Sequence, residues 1–545
     1  MFPPRKNNRL LFCVLVLFVS TYNLLYGGIK PNKFVSNKTY PCSQWDVLDI
    51  EFTVKEIPAD PYTVEFDAVF RCPQNKGLKI PGFYNGGKSY VLRFSPPLSG
   101  SWIFETASSL SELAGHRGWV ECRAATNPDR HGPVMIDEKN PQVFYYQDGA
   151  PYFLMAFEVD WLFALDLENK TGIPKTKTLV DQMAKANFNQ AIINVYAHDA
   201  SWGEDKNLKP EFDYGSPKSF PFGGNNDNPD FSTLNVDFFK HFDRVIDYLD
   251  QKGVIAHVMI YVWNKKVNWP DMYSDADNRY FDYVIKRYQA FSNIIWDISK
   301  EALSYGRCDM DYVNERIRRL RHLDAYQRLL TVHDYGYCSK YPQNVDFISI
   351  QYWDTDLYAK MLSIREQYGN KPVYNIEHGG YEKGSYVVFN GDYIDPVTCL
   401  ERNYQCAFAG TYSTYYWQNT SWYTVIPDPM GLPEQQRPKF EYYRHFVDLF
   451  DKYDFSRLKP SAGNSSSGYC LSNSRDLFLY FVPKDNFAIH VILPKTAEHN
   501  LNITWFNPLS GEFLEKDRMK IGGWHEFKCP WPGQMAILVL DGEKE

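Results

Sequence analysis

Residues 293–301 read NIIWDISKE, and residues 371–380 read KPVYNIEHGG. Each holds a short apolar, strand-like run followed by a carboxylate, Glu301 in one and Glu377 in the other. Working outward, similar runs recur at 152–157, 190–196, 254–262, 328–333, 346–351 and 410–416. Helical stretches at 175–187, 236–252, 310–323 and 356–368 lie among them, and a long helix at 435–452 closes the series. The clearest is 236–252, where Phe238, Phe239, Phe242, Val245, Ile246 and Leu249 make one apolar stripe that Gly253 ends. Strands alternating with helices predict a parallel sheet, and eight such repeats predict a closed (β/α)8 TIM barrel.

In that barrel, side chains at the carboxyl ends of strands reach the mouth where the fold does its chemistry. Glu301 follows strand four and Glu377 ends strand seven. Either carboxylate alone reads as an ordinary strand-end charge. The pair in this context reads as the acid/base and nucleophile that glycoside hydrolysis requires. By the same placement, the candidate substrate-binding residues are Glu158, Asn194, His198, Tyr261, Trp263, Lys300, His333, Gln351, Trp353, His378 and Trp417. Tyr and Trp would offer ring faces to sugar C–H groups, and His, Asn and Gln would bind hydroxyls.

The flanks read differently. Residues 38–126 hold short alternating runs with Pro/Gly turns between them, which predicts a small antiparallel β-sandwich. A polar linker at 127–141 leads into the barrel at 140–453, and a second antiparallel β-sandwich is expected at 454–545. Both connections are short and lack a Gly/Ser tract, so both sandwiches should pack on the barrel. Trp505 and Trp524 are then candidate interface anchors or a sugar platform.

The balance of 58 Lys+Arg against 66 Asp+Glu, net −8, with no basic run beyond the N-terminus apart from Arg316 to Arg321, which reads as the polar face of a helix, argues against a nucleic-acid partner. Arg5, Lys6 and Arg9 precede an uncharged run, 10–29, so residues 1–30 read as a signal peptide or signal anchor. The body is therefore expected to be secreted, or luminal or extracellular on a single-pass anchor, with membrane contact only through an uncleaved N-terminal segment. Five sequons fit glycosylation there: Asn37, Asn169, Asn419, Asn464 and Asn502. Among the ten cysteines, Cys470–Cys529 and Cys308–Cys338 are the expected disulfides. No C-x-x-C or His/Cys cluster suggests zinc, and no cofactor is expected.

The segments 293–301, 346–353 (DFISIQYW) and 371–380 together resemble the apiosidase-like glycoside hydrolases. That group carries an N-terminal β-sandwich of unknown function and a short C-terminal β-domain. The same segments are similar to the wider clan of retaining barrel glycosidases, whose acid/base follows strand four and whose nucleophile ends strand seven. The resemblance implies Glu301 as acid/base, Glu377 as nucleophile, and an oligo- or polysaccharide substrate. The chain departs from it at Lys300, where many relatives place an Asn that binds the sugar. A lysine charge there is expected to lower the Glu301 pKa, against an acid's needs. Lys300 and the two sandwiches motivate the alternative of a catalytically inactive barrel acting as a carbohydrate-binding or matrix protein. A metal-dependent hydrolase comes third, for want of a ligand cluster.

Overall fold

The computed structural model describes residues 38–200, 204–389, 391–461, 464–493, 500–520 and 522–542. The expected signal segment and Asn37 lie outside the described residues. Among those that are described, no helix is long and apolar enough to cross a membrane.

Eight parallel strands form the centre: β1 (Met155–Glu158), β2 (Gln190–Asn194), β3 (Ile255–Val262), β4 (Ile294–Lys300), β5 (Leu330–His333), β6 (Ile348–Gln351), β7 (Val373–Glu377) and β8 (Tyr412–Tyr415). Their order is β5-β4-β3-β2-β1-β8-β7-β6. At the β5/β6 seam, Asp346 N–H donates to the Leu330 carbonyl (2.8 Å) and the Thr331 hydroxyl to that of Phe347 (3.0 Å), closing the barrel. Every residue of β3 and β4 is buried, as expected for strands covered on both faces.

The outer ring is α1 (Pro174–Lys185), α2 (Val236–Gln251), α3 (Asp275–Tyr288), α4 (Met310–Leu323), α5 (Tyr335–Lys340), α6 (Leu357–Gln367), α7 (Pro396–Phe408) and α8 (Phe440–Lys452). Asn235, Ser274, Asp309 and Asp395 cap α2, α3, α4 and α7 by accepting first-turn N–H groups. The last helix starts at Phe440, later than expected, because Pro433 and Pro438 leave only a short 3-10 turn at Glu434–Gln436 before it. The polar excursion after β2, expected to be irregular, contains a hairpin of Phe222–Gly224 with Pro229–Leu234.

The N-terminal sandwich packs a five-stranded sheet on a three-stranded one. It is antiparallel except where Lys38–Ser43 runs parallel to Arg117–Arg123. Phe70 stacks on Phe94 (3.9 Å) in its core. Arg93, only 4% exposed, ties it to the barrel through Asp49 (2.7 Å) and Asp243 of α2 (3.0 Å). The C-terminal domain is an antiparallel six-stranded sheet with a two-stranded one. It docks through Phe481, which stacks on Tyr404 of α7 (5.5 Å). Trp505 sits in that domain's own core, not at the interface, and Trp524 is 61% exposed beside His490.

Two expectations are corrected. The described cysteines are all free. Cys308 and Cys338 donate instead to the Ala302 and Val332 carbonyls, Cys529 donates to that of Trp531, and Cys470 faces the Tyr480 hydroxyl. The thiols brought together are Cys42 and Cys122, register partners on adjacent parallel strands. Asn419 is fully buried, and its amide exchanges two hydrogen bonds with the Tyr386 backbone, so the nitrogen a glycan would occupy is already committed. Asn169, Asn464 and Asn502 are partly exposed.

Candidate active site

Two β-bulges aim the carboxylates. Between Asp297 and Lys300, β4 carries one residue more than β5, and between Asn375 and Glu377, β7 carries one more than β6. An extra residue bends a strand and turns its next side chain. Glu301 follows with φ +48°, a left-handed conformation rare for a side chain with a Cβ, while its N–H donates to the His333 carbonyl (2.8 Å).

Both carboxylates line one cavity of about 160 Å³ at the carboxyl ends of the strands. Around them stand Asn264 after β3, Lys300 and Tyr305 at β4, Gln351 and Trp353 at β6, Tyr381 and Phe389 after β7, and Trp422 after β8. Asn264 Nδ2 donates to Glu301 Oε2. Glu377 Oε2 accepts from Gln351 Nε2 and from the Tyr381 hydroxyl, both at 2.8 Å. Glu377 Oε1 accepts no hydrogen bond; it lies 3.2 Å from Lys300 Nζ and 3.6 Å from His333 Nε2.

The electrostatics separate the pair. Burial, and then the Glu377 charge, push Glu301 above its ordinary value, against the opposing pull of Lys300, His333 and Lys265. Burial would raise Glu377 too, but Lys300, His333 and the Tyr381 hydrogen bond outweigh it and hold that carboxyl below its ordinary value. Lys300 does pull Glu301 down as expected, but burial and the Glu377 charge outweigh it, so the net shift is upward. The ammonium is turned to Glu158 Oε1 (2.6 Å), Glu377 Oε1 (3.2 Å) and Asp160 Oδ2 (3.4 Å), and burial dominates at Glu301.

Of the expected binding residues, Lys300, Gln351 and Trp353 line the cavity, His333 touches Glu377, and Glu158 lies behind Lys300. The others do not line it. Tyr261 donates to Asp277 of α3 (2.5 Å) and stacks on Trp263 (4.9 Å), so both rings face the helices. His257, four residues earlier, contacts Asp297 of the neighbouring strand (3.0 Å) on the barrel's inner side. The facing therefore flips along β3, which runs in register with β4 out to the Val262–Lys300 pair. His378 is buried, donating from Nε2 to the Thr414 carbonyl and accepting at Nδ1 from Gly380 N–H. Burial and Arg402 push it down to about 3, so the ring stays neutral and structural. Trp417 is fully buried and bonds the Lys383 carbonyl. Asn194 is buried beside the Asp160 backbone, and His198 meets Tyr196 outside the cavity lining.

Sequence reading missed Asp160, Asn264, Lys265, Tyr305, Tyr381, Phe389 and Trp422. Asp160 carried a signal, two residues past Glu158 on the same strand extension. The others sit on loops, where no periodicity marks the facing. Among the described residues no His/Cys/Asp/Glu group is arranged to hold a metal ion.

A comparison with curated proteins found no match. Among solved structures, a candidate glycoside hydrolase from Bacteroides vulgatus is 19% identical with a TM-score of 0.75, over 93% of this chain and all of that one. A glycoside hydrolase of family 5 from the same organism is 14% identical with a TM-score of 0.58, over 75% of this chain and 94% of that one. A further structure named glycoside hydrolase is 15% identical, TM-score 0.58, over 76% and 98%. These likenesses concern the fold. Residues 41–109 match a domain of unknown function (DUF5060). Residues 138–441, more than half of the chain and the whole of the barrel mouth described above, match the apiosidase-like catalytic domain, and the protein belongs to that family.

Proposed function

We propose that this protein is a retaining glycoside hydrolase acting on an oligo- or polysaccharide, with Glu377 as nucleophile and Glu301 as acid/base. The observation that carries the reading is one small cavity holding two carboxyls shifted in opposite directions. Environments that push two carboxyls apart assign the acid and the base. Glu377, ionised and with Oε1 free of hydrogen bonds, attacks the anomeric carbon. Glu301, protonated, gives its proton to the departing glycosidic oxygen. In the second step Glu301 takes a proton from water, and the water's oxygen displaces Glu377. Trp353, Phe389 and Trp422 supply apolar faces for a sugar ring, in a volume of roughly five waters at ~30 Å³ each. Glu377 is ion-paired with Lys300 (3.2 Å), but neither carboxyl is turned outward and both line the cavity, which favours the active reading over an inactive barrel. The N-terminal segment supports placement in the secretory pathway or outside the cell.

The test is turnover of activated aryl-glycosides covering furanosides and pyranosides. Glu377→Gln should abolish it in a folded protein. Glu301→Ala should regain rate with azide, a small anion that attacks the glycosyl-enzyme without base help. Wild-type-like activity in either variant would refute the assignment.

A further inference from the structure

The most elaborate polar assembly outside the catalytic pair lies directly behind it. Lys300 is 2% exposed, and Glu158 and Asp160 are fully buried. The lysine donates to both carboxyls, to Glu158 Oε1 at 2.6 Å and to Asp160 Oδ2 at 3.4 Å. Glu158 Oε2 and Asp160 Oδ1 have no further partner. Burial, then Asp160, push Glu158 well up, whereas Lys300 opposes burial and helps hold Asp160 down.

We propose that Lys300 is a positioning residue, anchored by Glu158 and Asp160, whose ammonium holds the Glu377 carboxylate in place. The proposal rests on the hydrolase reading for the role of Glu377. Two of the three ammonium donors are committed to Glu158 and Asp160, and the third side of the ammonium lies 3.2 Å from Glu377 Oε1. The ammonium thus faces three carboxyls, Glu158, Asp160 and Glu377, whereas the Asn implied at this position by resemblance carries no charge. The other groups facing Glu377 are His333, the Tyr381 hydroxyl, Gln351, Glu301 and Glu158. Only Lys300 is a permanent cation among them.

The experiment compares wild type, Lys300→Asn and Lys300→Asn/Asp160→Asn by the pH profile of kcat/KM and by Tm across pH. Lys300→Asn should move the acid limb up by about one unit, with kcat on that limb falling about tenfold and KM little changed. It should also lower Tm more at alkaline than at acidic pH, because buried carboxylates have lost their cation. Adding Asp160→Asn removes the competing charge and should return both readouts toward wild type. An unmoved acid limb, or a raised KM with kcat kept, would overturn the proposal. Should Lys300→Asn not fold, folding restored by Asp160→Asn supports the charge role, and continued failure overturns it. A wild type inactive on every glycoside tried would sink the hydrolase reading, while the Tm pattern would still report on the ion assembly.

Discussion

Replacing Tyr381 by Phe removes one oxygen from the site and little else. The hydroxyl donates to Glu377 Oε2 at 2.8 Å. The ring packs on Tyr416 (4.7 Å), Trp422 (5.3 Å), Trp353 (5.5 Å) and Phe389 (5.7 Å), contacts that Phe keeps. A hydrogen bond to a charged group contributes ~1.5–3 kcal/mol. At ~1.4 kcal/mol per pKa unit, losing it from the ionised form alone would raise Glu377 by about one to two units. Gln351 still donates to the same oxygen, so about one unit is expected. The sign follows from the folded state, in which Glu377 is held below its ordinary value and loses a group that holds it there. The acid limb of kcat/KM should move to higher pH. Rate on that limb should fall roughly tenfold, and rate above it much less. The assay is kcat/KM on an activated aryl-glycoside across the pH range, with Tm as the control for folding. An acid limb that stays in place while Tm is unchanged would refute the role given to this hydroxyl.

Two further predictions concern the scaffold. Arg93→Ala removes a buried guanidinium from Asp49 and Asp243 at the junction of sandwich and barrel; Asp243 keeps Arg287 (2.5 Å), so the cost in denaturant unfolding should be about 1.5–3 kcal/mol. A loss under ~1 kcal/mol would mean that the rest of the interface carries the docking. Glu382 is raised to about 8, chiefly by burial, against hydrogen bonds from Lys439 N–H and the Tyr415 hydroxyl. Its folded pKa lies above the ordinary 4.5, so the stability it contributes is complete below that value and is lost as pH rises through about 8. Glu382→Gln, which mimics the protonated form, should flatten the decline in Tm as pH rises from about 4.5 to about 8, and an unchanged slope there would refute this.

The barrel, the two flanking β-domains and the strand-end placement of Glu301 and Glu377 were legible in the chain because each rests on local patterning. Apolar runs of strand length alternate with a stripe such as Phe238 to Leu249, and a carboxylate at a strand's carboxyl end has one place to go. Facing was not legible, because it depends on bulges that no single strand declares. The extra residue between Asp297 and Lys300 accompanies the turning of Tyr261 and Trp263 toward the helices, and Asn264 reaches Glu301. Loop side chains such as Tyr381, Phe389 and Trp422 reach the cavity through turns whose geometry is set by packing, not by periodicity. Charge state was the least legible. From sequence, Lys300 is a cation next to an acid. In the folded protein its ammonium is held by Glu158 and Asp160, two residues from a strand more than a hundred positions away, and so is directed at Glu377. Local chemistry named the strands and the candidate carboxyls, and only the closed barrel decided which charges meet, because burial and long-range pairing set the electrostatics of the site.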